Sequence, residues 1–153
     1  ELQETHRLRE IVHTLRREDP HARLLVKIAP DLEDEAGLEI AKLAADEKLA
    51  GLIATNTTLD HSALPNHRDQ QGGLSGAPLR ARATHLLQML SSQSPLPLIA
   101  SGGVMDKASA KEKFDARASL VQIYTGLVYS GTQLIREIVS LDAEPSPAKP
   151  SNV

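Results

Sequence analysis

The sequence predicts an α/β fold built on a parallel sheet, on three observations. Four short apolar runs alternate with segments of helical periodicity, beginning and ending with a helix. The runs are continuously apolar rather than alternating, as in strands covered by helices. The segments between them are long enough for the right-handed crossovers that parallel neighbours need. Four such strands make a small open sheet or half of an eight-stranded (β/α) barrel. A complete barrel takes about 250 residues, and this chain has 153.

Taken in order, Leu8, Ile11, Val12 and Leu15 fall on one helical face, and Pro20 closes that helix. Leu24 to Ala29 is an apolar run broken only by Lys27, and reads as a strand ending at Pro30. Asp31 to Lys48 reads as a helix with Ala36, Ile40, Leu43 and Ala44 inside. Its early acidic residues suit the positive end of the helix dipole. Gly51 to Thr55 is the second strand. Residues 56 to 78 form a polar connection ending in GGLSGAP, where Pro78 suits a first helical turn. Leu79, Ala83, Leu86, Leu87 and Leu90 make the next helical stripe, and Ser91 to Pro95 a turn. Pro97 to Ala100 is the third strand, Asp106 to Phe114 a short helix, and Ser119 to Tyr124 the fourth strand. Leu134, Ile135, Ile138 and Val139 mark a last helix. Residues 142–153 are rich in Pro, Ser, Ala and Lys and read as a disordered tail after a folded unit over 1–141.

Composition excludes several functions. Seventeen basic residues against 20 acidic ones give a formal charge of −3, with no basic surplus to hold nucleic acid. The chain has no cysteine, so disulfides, thiolate metal sites and a cysteine nucleophile are absent from it. No apolar run approaches the roughly 20 residues that span a bilayer. The six histidines (His6, His13, His21, His61, His67 and His85) show no metal-ligand spacing, so no metal is expected.

Ligand sites in such sheets lie at the carboxyl ends of the strands. Here those ends are Lys27 to Asp31, Thr55 to Thr58, Ser101 to Val104 and Tyr124 to Gly126. Gly102-Gly103 and Tyr124-Thr125-Gly126 both follow a strand, and two adjacent glycine-bearing turns suit one shared phosphate. The same glycines also suit plain tight turns. Lys27 either faces a strand-end ligand as a cation or snorkels from an edge strand. Thr55-Asn56-Thr57-Thr58 offers hydrogen bonds to a planar polar ligand, or caps its own backbone. Ser75 lacks the G-x-S-x-G spacing and the leading strand of a hydrolase elbow, so its glycine-rich run reads as a loop covering a ligand.

Four stretches carry a resemblance: VKIAPDL (Val26 to Leu32), GLIATNTT (Gly51 to Thr58), GGLSG (Gly72 to Gly76) and ASLVQIYTGLVY (Ala118 to Tyr129). In order and spacing they resemble the class 2, quinone-dependent dihydroorotate dehydrogenases, over about residues 1 to 140. The resemblance implies the C-terminal half of a (β/α)₈ barrel, strands five to eight, holding flavin mononucleotide (FMN). It implies that Lys27, Thr55, Gly76, Gly103, Tyr124 and Thr125 contact the flavin. Asn56 and Thr57 would bind dihydroorotate or orotate. It assigns no catalytic residue to this chain, because the family's base serine is expected upstream of Glu1. It further implies a quinone acceptor reached through N-terminal helices and a peripheral place on the cytoplasmic side of the inner membrane. Arg117 stands where the family usually has glycine, Ala100-Ser101 where it has Gly-Val, and Ala77 where it has a basic residue.

The resemblance therefore predicts FMN-dependent oxidation of dihydroorotate in pyrimidine synthesis, with this chain inactive in isolation. Two rival readings stand. One is a non-catalytic half-barrel that binds FMN or a phosphate and pairs with a second copy or with the missing half. The other is a different flavin-dependent barrel oxidoreductase of the class 1 dihydroorotate dehydrogenase kind.

Overall fold

The computed structural model describes residues 4–65 and 70–141. The expected tail over 142–153, the residues at 1–3 and His67 lie outside them. Four strands form one sheet in the order β1-β2-β3-β4: β1 (Leu25–Ile28), β2 (Gly51–Ala54), β3 (Leu98–Ser101) and β4 (Leu120–Gln122). Every neighbouring pair is parallel. Helices α1 (Thr5–Glu18), α2 (Asp34–Asp46), α3 (Arg80–Gln93), α4 (Lys107–Asp115), α5 (Thr125–Ser130) and α6 (Thr132–Val139) precede, connect and follow the strands.

The helices cover one face of the sheet. Val26, Ile28, Leu52, Ala54, Leu98 and Ala100 point into that core and are buried against Ile40, Leu43, Leu87 and Leu90. Among the described residues, no helix packs on the opposite face. Strand register places Lys27, Ile53, Ile99 and Leu120 in one row across it, because partners in a parallel ladder point to the same side. This two-sidedness is why β1 alternates exposed and buried although its sequence is almost wholly apolar.

Several details differ from the sequence reading. The inner face of α1 narrows to Leu8 and Val12, leaving Ile11 and Leu15 exposed. Helix α2 starts at Asp34 rather than Asp31, which stays in the preceding loop as an acceptor. Helix α3 runs through Ser91 to Gln93, so the expected turn begins later. Strand β4 stops at Gln122, and Thr125 opens the extra short helix α5. Arg117 has a positive φ of 69°, the conformation a glycine would favour.

Two helices end alike. After α4, the Ala118 N–H donates to the Lys113 carbonyl and the Arg117 N–H to the Phe114 carbonyl. After α2, the Leu49 N–H donates to the Ala44 carbonyl and the Lys48 N–H to the Ala45 carbonyl. Both are Schellman closures, with Arg117 and Lys48 in the left-handed position.

Candidate functional site

The four strand ends and the glycine-rich loop enclose one cavity of ≈ 320 Å³ on that opposite side of the sheet. That is the small end of the range for ligand clefts, roughly 300–1,000 Å³. Lys27, Thr55, Asn56, Thr57, Gly76, Gly103, Tyr124 and Thr125 all line it. Every residue singled out from the sequence for a cofactor or a substrate is thus brought to one place. Among the described residues that line it, Lys27 carries the only charge, so the cavity favours an anionic ligand.

Backbone pairing beyond the strands sets the geometry. The Thr55 N–H donates to the Ser101 carbonyl at 2.6 Å, and the Asn56 N–H to the Ile28 carbonyl at 2.8 Å. Thr55 is buried and turns its hydroxyl onto the Asn56 carbonyl at 2.8 Å. Asn56 and Thr57 are exposed toward the cavity. One further step on, Thr58 and Leu74 exchange N–H to carbonyl bonds in an antiparallel bridge, which brings GGLSG back over the site. Ser75 then meets Thr125, hydroxyl to hydroxyl, at 2.8 Å. That contact ties the loop to the start of α5 and gives Ser75 a threonine rather than a base as its partner.

Among the glycines that line the cavity, the closest approaches are at Gly103 and Gly73. A side chain at Gly103, whose φ is 72°, would overlap the backbone of Arg80 at the start of α3. A side chain at Gly73 would overlap the Thr57 hydroxyl. Gly102 and Gly103 both have positive φ, so the chain turns sharply after β3 where both line the cavity. The arrangement fits an anionic, phosphate-bearing ligand: a glycine turn, a second strand end at Tyr124 and Thr125, and a lysine on the cavity wall.

The β1 end is fixed from behind. Arg82 on α3 donates from Nε to the Pro30 carbonyl at 2.8 Å, from one terminal nitrogen to the Leu32 carbonyl at 2.5 Å, and from the other to Asp34 at 2.7 Å. His85 and Arg82, both hydrogen-bonded to Asp34, hold its carboxyl below the usual carboxylate range.

Sequence reasoning missed Gln122 and Ile123, which also line the cavity. Gln122 had a signal: it is a polar residue in an apolar strand, the anomaly that singled out Lys27. No group of three metal-ligating side chains occurs among the described residues. Nor, among them, is any helix long and apolar enough to cross a membrane.

Comparison with known proteins covers most of the chain. A family model described as Dihydroorotate dehydrogenase matches residues 1–141. A protein of Christiangramia forsetii named dihydroorotate dehydrogenase (quinone) is 41% identical over 145 residues, which span 90% of this chain and 43% of the relative. One of the same name from Dichelobacter nodosus is 49% identical over 129 residues, spanning 82% of this chain and 37% of its own. The ligand-free DHODH of Eimeria tenella superposes with a TM-score of 0.82 at 31% identity, over 93% of this chain and 48% of its own. The same organism's DHODH in complex with ferulenol gives 0.81 at 32% identity, over 90% and 43%. The chain therefore spans less than half the length of these relatives.

Proposed function

The chain belongs to the dihydroorotate dehydrogenase family, and on that premise we propose that it forms one wall of an FMN and orotate site. The reaction is oxidation of dihydroorotate to orotate with a quinone as acceptor, in pyrimidine synthesis. One observation carries this reading: all eight residues that the family resemblance assigns to cofactor or substrate line a single cavity.

Each residue has a role that its placement supports, which for the buried Thr55 is contact with the flavin. The Lys27 ammonium sits on the cavity wall, where a cation stabilises negative charge on a flavin ring. Asn56 and Thr57 present side-chain donors and acceptors to a planar, carboxylate-bearing ring. Gly103, Tyr124 and Thr125 cradle the phosphate, and Gly76 lets the loop approach the flavin closely. When bound, FMN supplies the two-electron chemistry. None of these eight residues is assigned proton abstraction or quinone binding.

The test is titration of the purified chain with FMN, read by flavin fluorescence. Saturable quenching, weakened about tenfold by Lys27→Ala and abolished by Gly103→Asp, supports the reading. Quenching that both variants leave unchanged refutes the assigned contacts. If the chain alone does not quench, the same titration is run after adding the N-terminal part of the Christiangramia forsetii relative. No flavin binding by that mixture would overturn the cofactor assignment.

A further inference from the structure

We infer that Ser101 and Gln122 hold the hydroxyl-bearing chain that joins the cofactor's ring to its phosphate, and so make the site selective for a polyol-linked flavin. This rests on the flavin reading above and adds two contacts to the eight residues named there.

Strand register supplies the placement. Ile99 pairs with Leu120, and Ser101 with Gln122. Every second residue of a strand faces the same side, so both pairs share the face on which Lys27 stands. Ser101 and Gln122 therefore sit side by side, one step nearer the strand ends than the apolar row, and both line the cavity. Ser101 comes two residues before Gly103, and Gln122 two before Tyr124. The pair thus lies just inside the two turns assigned to the phosphate, on the same two strands. Lys27, assigned to the ring, is on β1 at the other side of the sheet. A ligand with its phosphate at the β3 and β4 turns and its ring beside Lys27 must cross β3 and β2. The part of it next to the phosphate then meets Ser101 and Gln122.

The chemistry of the pair fits that part of the ligand. Beside them, at the end of β2, the Thr55 N–H donates to the Ser101 carbonyl, and the Thr55 hydroxyl is already engaged with the Asn56 carbonyl at 2.8 Å. Among the described residues, the Ser101 hydroxyl and the Gln122 amide group have no such side-chain partner. A hydroxyl and a primary amide can each both donate and accept. They match ligand hydroxyls, which do the same, and being uncharged they add recognition of a neutral polar group to the charge supplied by Lys27.

The test compares FMN with an analogue of the same ring, chain length and phosphate whose chain carries no hydroxyls. Both are titrated into the flavin-binding preparation of the preceding experiment and read by fluorescence. Ser101→Ala and Gln122→Ala should each weaken FMN binding about fivefold, the worth of one hydrogen bond, and leave the analogue unchanged within about twofold. Ser101→Thr keeps the hydroxyl and should bind FMN as the unmodified chain does. The two ligands share ring and phosphate, so a variant that merely loosens the fold weakens both alike. Equal losses for FMN and the analogue would overturn the inference, as would undiminished FMN binding in either alanine variant. A Ser101→Thr protein no better than Ser101→Ala would also overturn it. If FMN binds and Lys27→Ala weakens it while the two alanine variants do not, this inference alone falls. If the unmodified preparations bind no FMN, the flavin reading falls and this inference with it.

Discussion

The Asp31 carboxylate, in the loop after β1, accepts a hydrogen bond from the Thr58 hydroxyl in the loop after β2. Its other oxygen accepts the Leu59 N–H at 2.9 Å. Thr58 in turn holds Leu74 through the antiparallel bridge. One side chain thus fixes the segment that carries Asn56 and Thr57, and through it the return of GGLSG over the cavity.

Removing that carboxylate should loosen the site before it unfolds the protein. Asp31→Ala leaves the Thr58 hydroxyl and the Leu59 N–H without their acceptor, at a cost of about 1–3 kcal/mol. Asp31→Asn keeps one acceptor oxygen and should recover about half of that loss. Urea denaturation gives the stability, and hydrogen exchange at Leu59 and Leu74 gives the loop. Unchanged exchange in Asp31→Ala would show that the carboxylate does not hold these segments.

A second prediction separates close approach from backbone conformation alone. Gly103 and Gly131 both have positive φ, 72° and 60°. An added Cβ at Gly103 overlaps the Arg80 backbone, whereas at Gly131 nothing lies within 4 Å. Gly131, at φ 60° and ψ −159°, holds a conformation essentially reserved for glycine, so Gly131→Ala should cost about 1–3 kcal/mol. Gly103→Ala should cost more than about 3 kcal/mol, because α3 must shift away from the β3 turn. Equal denaturation midpoints for the two variants would contradict the packing of α3 against that turn.

Arg117 supplies a third. Its φ of 69° closes the Schellman turn after α4, and its side chain is exposed. Arg117→Gly relieves a left-handed side chain worth roughly 1–2 kcal/mol, while glycine's greater freedom in the unfolded chain takes back about 0.4–1 kcal/mol. The variant should be more stable by about 0.5–1 kcal/mol, seen as a higher urea midpoint with unchanged slope. Lys48→Gly, at the matching turn after α2, should show the same sign. A destabilised Arg117→Gly would mean that the arginine side chain makes a compensating contact.

How much the sequence shows depends on how far apart the partners lie. The succession of strands and helices along the chain and the four strand ends are readable because each βα unit writes its own local pattern: an apolar run, a turn and a helical stripe. Lys27 and Gly103 stood out as anomalies within such units. The Ser75–Thr125 contact joins residues 50 apart, and nothing local to either announces it. Asp31 was misplaced because an acidic residue before a helical stripe looks like a helix start, while its partners sit on the next loop. Helix α5 escaped because Thr125–Ser130 is too short to show a period and contains Gly126. Lys113 gave no warning either, since a lysine in KASAKEKFD reads as part of a solvated face although it is fully buried.

That buried lysine yields the last prediction. The Lys113 ammonium donates to the Thr84 hydroxyl at 2.6 Å and weakly to the Arg80 carbonyl at 3.4 Å. Burial lowers its pKa from 10.5 to about 8, with nearby Glu112 opposing the shift and Arg80 adding to it. Below pH 8 the folded and unfolded chains both hold the proton, so the burial penalty is present in full. Between about 8 and 10.5 the unfolded chain binds a proton that the folded chain has released, so the penalty fades as pH rises. Above 10.5 it is gone. Stability from this group should therefore rise by on the order of 1–2 kcal/mol between pH 7 and pH 9.5, allowing for partial solvent screening. Lys113→Met keeps the packing without the charge. It should be the more stable protein at pH 7 and should lose that advantage as the pH approaches 9.5. Urea midpoints of the two proteins at both pH values measure this directly. Parallel pH profiles would show that Lys113 stays charged in the fold and that the Thr84 hydroxyl suffices to hold it.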